Sequence, residues 1–180
     1  MIYWMKPLPD GQINTADWKR FIENEWFRRH FMWFVYGLQT ILLMLSIRSG
    51  AWDFSNFFVR TGLLIGTFII HELLHLMVVY RIGDVSITYS GLFFWISSGA
   101  VLSKFRFLVF MSLPLVGLTV VPAVFSMFLS GACRDALVYV AWVNAVSASS
   151  DIINSLLIAI KPHHALFYRG YYREGADMAA

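Results

Sequence analysis

His71, Glu72 and His75 stand in the order H-E-x-x-H. On a helix, residues four apart lie one turn apart on the same face, so the two imidazoles can hold one metal ion between them. Zinc suits such a pair, and the carboxylate of Glu72 then sits beside the metal, where it can take a proton from water. The setting sharpens this reading. From Thr61 to Tyr80 there is no other acidic, basic or histidine residue, and a charged group in lipid costs roughly 2.5 kcal/mol or more unless it is paired or metal-bound. The competing reading is a pair of core histidines hydrogen-bonded to their neighbours.

The elements that carry this motif are apolar. The chain has 180 residues, of which 58% are hydrophobic and 14% charged, too few charges for an ordinary soluble domain. Apolar segments run from Phe31 to Ile47, Thr61 to Tyr80, Phe107 to Leu129 and Ala136 to Ile160, each near or above the length that spans a bilayer. Gln39 interrupts the first, which has Trp33 and Tyr36 for one interface and Arg48 for the other. The expected fold is therefore an all-α integral membrane protein with about four transmembrane helices.

Lysine and arginine orient it. Lys6, Lys19, Arg20, Arg28 and Arg29 precede the first span, Arg81, Lys104 and Arg106 lie in the middle connection, and Lys161, Arg169 and Arg173 follow the last. Only Arg48, Arg60 and Arg134 fall in the other two connections, so eleven basic residues stand against three. Both termini are expected to face the cytoplasm. The net charge of +3 follows from this flanking pattern, and with no basic cluster on a soluble domain nucleic acid is not expected as a partner. The single cysteine, Cys133, excludes an internal disulfide and a multi-cysteine zinc site. No signal-peptide pattern precedes the first span. Three parts are expected: a cytoplasmic interfacial segment at 1–30, a membrane-embedded core at 31–160 and a cytoplasmic tail at 161–180.

Asn14 or Thr15 can cap a short helix whose Trp18, Phe21, Ile22 and Trp26 share a face, a pattern that fits a helix lying on the membrane surface. Between the second and third spans, apolar and polar residues alternate from Val85 to Ser90, Gly91 offers a turn, and the apolar run to Leu102 is broken by Ser97, Ser98 and Gly99. Period-two alternation predicts strand. Either a β-hairpin or re-entrant loop entering the membrane or a loop resting on its surface satisfies the pattern, and an edge at Val85–Ser90 would be free to pair with an extended peptide.

A catalytic zinc site usually has three protein ligands, so one more is needed. The second and fourth spans run in the same direction, and His71 and His75 lie nine and five residues before Tyr80, about 13 and 8 Å at helical rise. Asp151 lies nine residues before Ile160, at the same depth, and it is the only acidic residue of the spans besides Glu72. It belongs to a polar stripe of Asn144, Ser147, Asp151, Asn154 and Ser155 at spacings of three and four. Coordination to a cation lets such a carboxylate keep its charge. Asp84, His30, His163 and His164 are at the wrong depth or outside the spans.

With these residues in place, the stretch from about Gly62 to Pro162 resembles the core of the site-2 proteases, which are membrane-embedded zinc metalloproteases. It resembles more closely a small bacterial group of membrane zincin peptidases. The H-E-L-L-H run carries the likeness, and Ser149-Ser150-Asp151-Ile152-Ile153-Asn154 adds to it. The resemblance implies Zn2+ held by His71, His75 and Asp151, Glu72 as general base, Asn144 as a substrate-orienting residue, and a bacterial cytoplasmic membrane as the location. Site-2 proteases usually carry glycine after the ligand Asp and a proline before it. Here Ile152 follows, and no proline precedes Asp151 within its span.

The expected reaction is hydrolysis of a peptide bond in a membrane-associated protein or peptide, with a regulatory membrane partner conceivable. The rivals are a zinc hydrolase acting on a lipid or another small molecule, and a membrane protein that binds metal or clients without cutting.

Overall fold

The computed structural model describes residues 1–8, 16–53, 56–90 and 93–175. Two short strands, β1 (Ile2–Trp4) and β2 (Lys19–Arg20), precede helix α1 (Glu25–Arg48), which is followed by α2 (Phe57–Val79). Strands β3 (Val85–Ser90), β4 (Phe93–Ser98) and β5 (Leu102–Ser103) lead into α3 (Lys104–Leu115). A π-helical turn at Val116–Val120 joins α3 to α4 (Val121–Ser126), and α5 (Gly131–Ser147), α6 (Ser149–Ala159) and the hairpin of β6 (Ala165–Tyr168) and β7 (Tyr171–Glu174) complete the chain.

The helices start where side chains can satisfy the first free N–H groups. Asn24 Oδ1 accepts from Phe27 N–H at 2.9 Å and Asn56 Oδ1 from Val59 N–H at 3.0 Å. In α1, Glu25 in the first turn and Arg48 in the last complement the helix dipole. Among the described residues, three helical runs are long and apolar enough to cross a membrane: Glu25–Arg48, Phe57–Val79 and Lys104–Ser126. The pair α5 and α6 makes a fourth if it counts as one span, but it is bent by 63°. The straight fourth helix expected from Ala136 to Ile160 is thus broken at Ala148. Neither proline nor glycine stands at the bend. Ser147 and Ser149 hydroxyls instead donate back to the carbonyls of Val143 (3.0 Å) and Val146 (2.8 Å), which is one established way of bending a helix.

The fold is mostly helical but not all-α. One sheet has the order β1-β3-β4, with β1 parallel to β3 and β4 antiparallel to it. Gly91, expected at the hairpin turn, lies outside the described residues. The second sheet has the order β2-β7-β6-β5, so it joins the segment before α1, the start of α3 and the tail.

The expected surface helix through Trp18 and Trp26 is absent: Lys19–Arg20 form β2, and helix begins only at Glu25; Asn14 and Thr15, its expected caps, lie outside the described residues. Trp18 and Phe21 are buried, and Phe21 packs edge-on against Phe107 and Phe167, each at 5.8 Å between ring centres. A protein core, not a bilayer, takes these rings, because β6 and β7 present the apolar face they need. Val85–Ser90, expected to offer an edge, is the central strand of its sheet: β4 pairs along its whole length, and β1 pairs with Val85–Ile87 on the other side. The outer described strands of this sheet are β1 and β4.

Candidate metal centre

Thr67, His71, His75 and Val79 form the buried stripe of α2, each four residues from the next. This stripe faces α3 and α5, and α6 brings Asp151 to it from across the bend. His71, His75 and Asp151 are 5%, 6% and 7% exposed. The structure therefore assembles the three residues expected as ligands. Their facing atoms form a nearly equilateral triangle: His71 Nε2 to His75 Nε2 is 3.2 Å, His71 Nε2 to Asp151 Oδ2 is 3.2 Å and His75 Nε2 to Asp151 Oδ2 is 3.3 Å.

The other ring nitrogens decide what that triangle is. His75 Nδ1 lies 2.7 Å from the carbonyl oxygen of Phe110, which can only accept, so Nδ1 carries the proton. His71 Nδ1 lies 2.8 Å from Asn144 Oδ1. The Asn144 amide is oriented by its nitrogen, which donates to Pro114 O and to Thr119 Oγ1, both at 2.9 Å, while the threonine hydroxyl donates onward to Ala141 O at 3.2 Å. Its oxygen is thereby left to accept from His71 Nδ1–H. With both neutral rings protonated on Nδ1, both Nε2 atoms present lone pairs to each other and to a carboxylate oxygen. Asp151 Oδ2 is buried and has no hydrogen-bond donor.

Three acceptors converging in a buried space repel one another unless a cation lies between them. The spacing fits one. Ligand atoms about 2.0–2.1 Å from a tetrahedral ion lie about 3.3–3.4 Å apart, close to the edges of the triangle. Two imidazole nitrogens and one carboxylate oxygen are also a donor set that zinc accepts, and both rings have the outer partners that fix such ligands. Glu72, next to His71 on the helix, is half-buried.

Asn144 is fully buried, and its amide is engaged with His71, Pro114 and Thr119; in this arrangement it orients the His71 ring. The only side-chain signal for that role was an amide inside an apolar span. Thr119 and the Phe110 carbonyl were not anticipated at all. Asp84, the weaker ligand candidate, pairs instead with the Met1 ammonium at 2.7 Å, and His30 Nδ1 bonds the Trp26 carbonyl at 2.8 Å.

A cavity of about 460 Å³ lies between the hairpin and the second sheet, with Phe21, Ile96, Phe107, Phe110, Met111 and Phe167 among its walls. Phe110 is shared: its ring stands 4.8 Å from that of His75.

A family described as “Putative zincin peptidase” matches residues 64–166, more than half of the chain. No curated protein and no solved structure matches it.

Proposed function

Since the chain belongs to that zincin peptidase family, we propose that it is a membrane-embedded zinc metalloprotease of the site-2 protease kind, acting on membrane-associated proteins or peptides. The observation that carries the proposal is the buried triangle of His71 Nε2, His75 Nε2 and Asp151 Oδ2, 3.2–3.3 Å apart, with no hydrogen-bond partner for the carboxylate oxygen. These atoms would hold the ion, which when bound supplies Lewis acidity toward a carbonyl and a water. Glu72 takes a proton from the water on its carboxylate and delivers it to the leaving amine nitrogen. The side-chain amide oxygen of Asn144 and the carbonyl of Phe110 keep the two imidazoles aimed while this happens.

The substrate is taken to lie in extended form along β4. In an antiparallel ladder successive N–H groups point to opposite sides. Gly99 N–H bonds Asp84 O at 2.7 Å, which turns Gly99 toward β3 and, three positions earlier, turns the N–H of Ile96 away from it. A peptide strand added at that edge would pass beside the apolar cavity that reaches Phe110. The four spans, with both termini cytoplasmic, would lie in a bacterial cytoplasmic membrane, and the hairpin side would face the cytoplasm.

Purified protein should contain about one zinc per chain and cleave a membrane-protein substrate, while Glu72→Gln should keep the zinc and lose the cleavage. Cleavage at the parental rate by Glu72→Gln would sink the mechanism. Zinc without any cleavage in the parent, against a panel of membrane proteins, would favour a protein that binds clients without cutting, or a hydrolase of small molecules.

A further inference from the structure

The ring orientation of both histidines traces to one residue on the third span. Pro114 is fully buried within α3. In a regular helix the N–H of residue 114 would donate to the carbonyl of residue 110, four positions earlier. Proline has no N–H, and its ring pushes that carbonyl off the helix axis. The carbonyl in question is Phe110 O, the acceptor 2.7 Å from His75 Nδ1. Pro114 acts a second time through its own carbonyl, which accepts from Asn144 Nδ2 at 2.9 Å. Together with Thr119 Oγ1, in the π-helical turn that follows, this bond decides which end of the amide faces His71.

We propose that Pro114 is a positioning residue that sets the tautomers of both metal-binding histidines: its missing N–H releases Phe110 O to hold His75, and its carbonyl anchors Asn144 to hold His71. The inference rests on the metal-centre reading and adds to it the element that makes two neutral rings present Nε2 inward. A proline at that position would otherwise only weaken a long apolar helix.

Pro114→Ala restores an N–H four residues after Phe110. The Phe110 carbonyl returns to the helix ladder, and His75 Nδ1–H loses a good acceptor. Removing an outer partner of a metal-bound histidine typically lowers metal affinity by about 10–100-fold, and that loss is expected for zinc, measured by competition with a chelator on the full chain in detergent micelles. Placing the α-hydroxy acid analogue of alanine at position 114 gives an ester that lacks the N–H as proline does, yet has no ring. It should bind zinc about as tightly as the parent. Equal weakening in both would show that ring packing matters and not the released carbonyl, and parental affinity in Pro114→Ala would also overturn the proposal.

A measurement on the parent alone guards against variants that do not fold. With nitrogen-labelled histidine, the zinc-loaded protein should show His71 and His75 protonated on Nδ1 and bound through Nε2. Binding through Nδ1 of either ring would overturn the assignment. A parent that binds no zinc refutes the metal centre and this inference with it, whereas a zinc-binding parent with an unchanged Pro114→Ala variant refutes Pro114 alone.

Discussion

Changing Asp151 to Asn separates a metal site from a buried polar cluster, because the two readings predict opposite signs. The substitution hardly alters volume but exchanges an acceptor for an N–H₂ group with two donors. In the metal-free protein with both rings neutral and protonated on Nδ1, three lone-pair atoms face one another at 3.2–3.3 Å. An amide nitrogen at the position of Oδ2 would donate to both Nε2 atoms, and each such bond contributes about 0.5–1.5 kcal/mol net. Metal-free Asp151→Asn should therefore be more stable than the metal-free parent by about 1–3 kcal/mol. Zinc binding should move the other way. Structural sites of four ligands bind with roughly 10–16 kcal/mol, so each ligand accounts for roughly 3 kcal/mol, or about a hundredfold in affinity. The assay is denaturation in detergent micelles at alkaline pH, with chelator and with excess zinc. The parent should gain stability from zinc and the variant should gain little. A metal-free variant less stable than the parent, or one that binds zinc equally well, would refute the lone-pair argument.

Other consequences are open to measurement. Asn144→Ala leaves His71 Nδ1–H buried without its acceptor, and should cost about 1–3 kcal/mol of stability and weaken zinc about 10–100-fold; unchanged zinc affinity would deny Asn144 its orienting role. Ile96→Pro removes an N–H that faces away from β3, so zinc content should persist while cleavage of a membrane-protein substrate falls; parental cleavage would leave β4 without a part in presenting substrate. In a Cys133→Ala background, a cysteine at exposed Asp53 should be labelled from outside and ones at Lys104 and Arg173 only from inside, and an externally labelled Arg173 site would reverse the topology. At the tail, burial and then the hydrogen bond to Glu23 push the Tyr172 phenol up to about 12, while the hydrogen bond from Lys161 holds the Glu23 carboxyl below its usual value. The raised phenol contributes stability that is complete below the ordinary tyrosine value, near 10, and is lost as pH rises through about 12. The lowered carboxyl contributes above its ordinary value and is lost as pH falls. Tyrosinate absorbance, compared with Tyr172→Phe, should show Glu23→Gln lowering the Tyr172 value only partway, since burial is the larger cause; a return to the ordinary value would give Glu23 the leading role.

How much of this was legible in the chain depends on whether the relevant physics is local. The H-E-x-x-H spacing needs only helical geometry, and the apolar runs near 31–47, 61–80 and 107–129 need only length, so their elements appear close to where composition puts them. Asp151 was identifiable because a carboxylate in an apolar span is costly at any depth and only one lay level with His71. Tertiary structure decided the rest. The aromatic pattern around Trp18 and Phe21 reports that those rings leave water, but not whether lipid or protein receives them; β6 and β7, some 145 residues later, supply the answer. Alternation at Val85–Ser90 indicates a strand and is silent on its neighbours, and β1 takes the edge that an isolated reading leaves open. The use of Asn144 depends on what packs against its side of the helix. Most hidden was the acceptor for His75, because every residue carries a carbonyl and only the fold, with a proline four positions on, shows that the carbonyl of Phe110 turns away from its helix to meet a histidine 35 positions earlier.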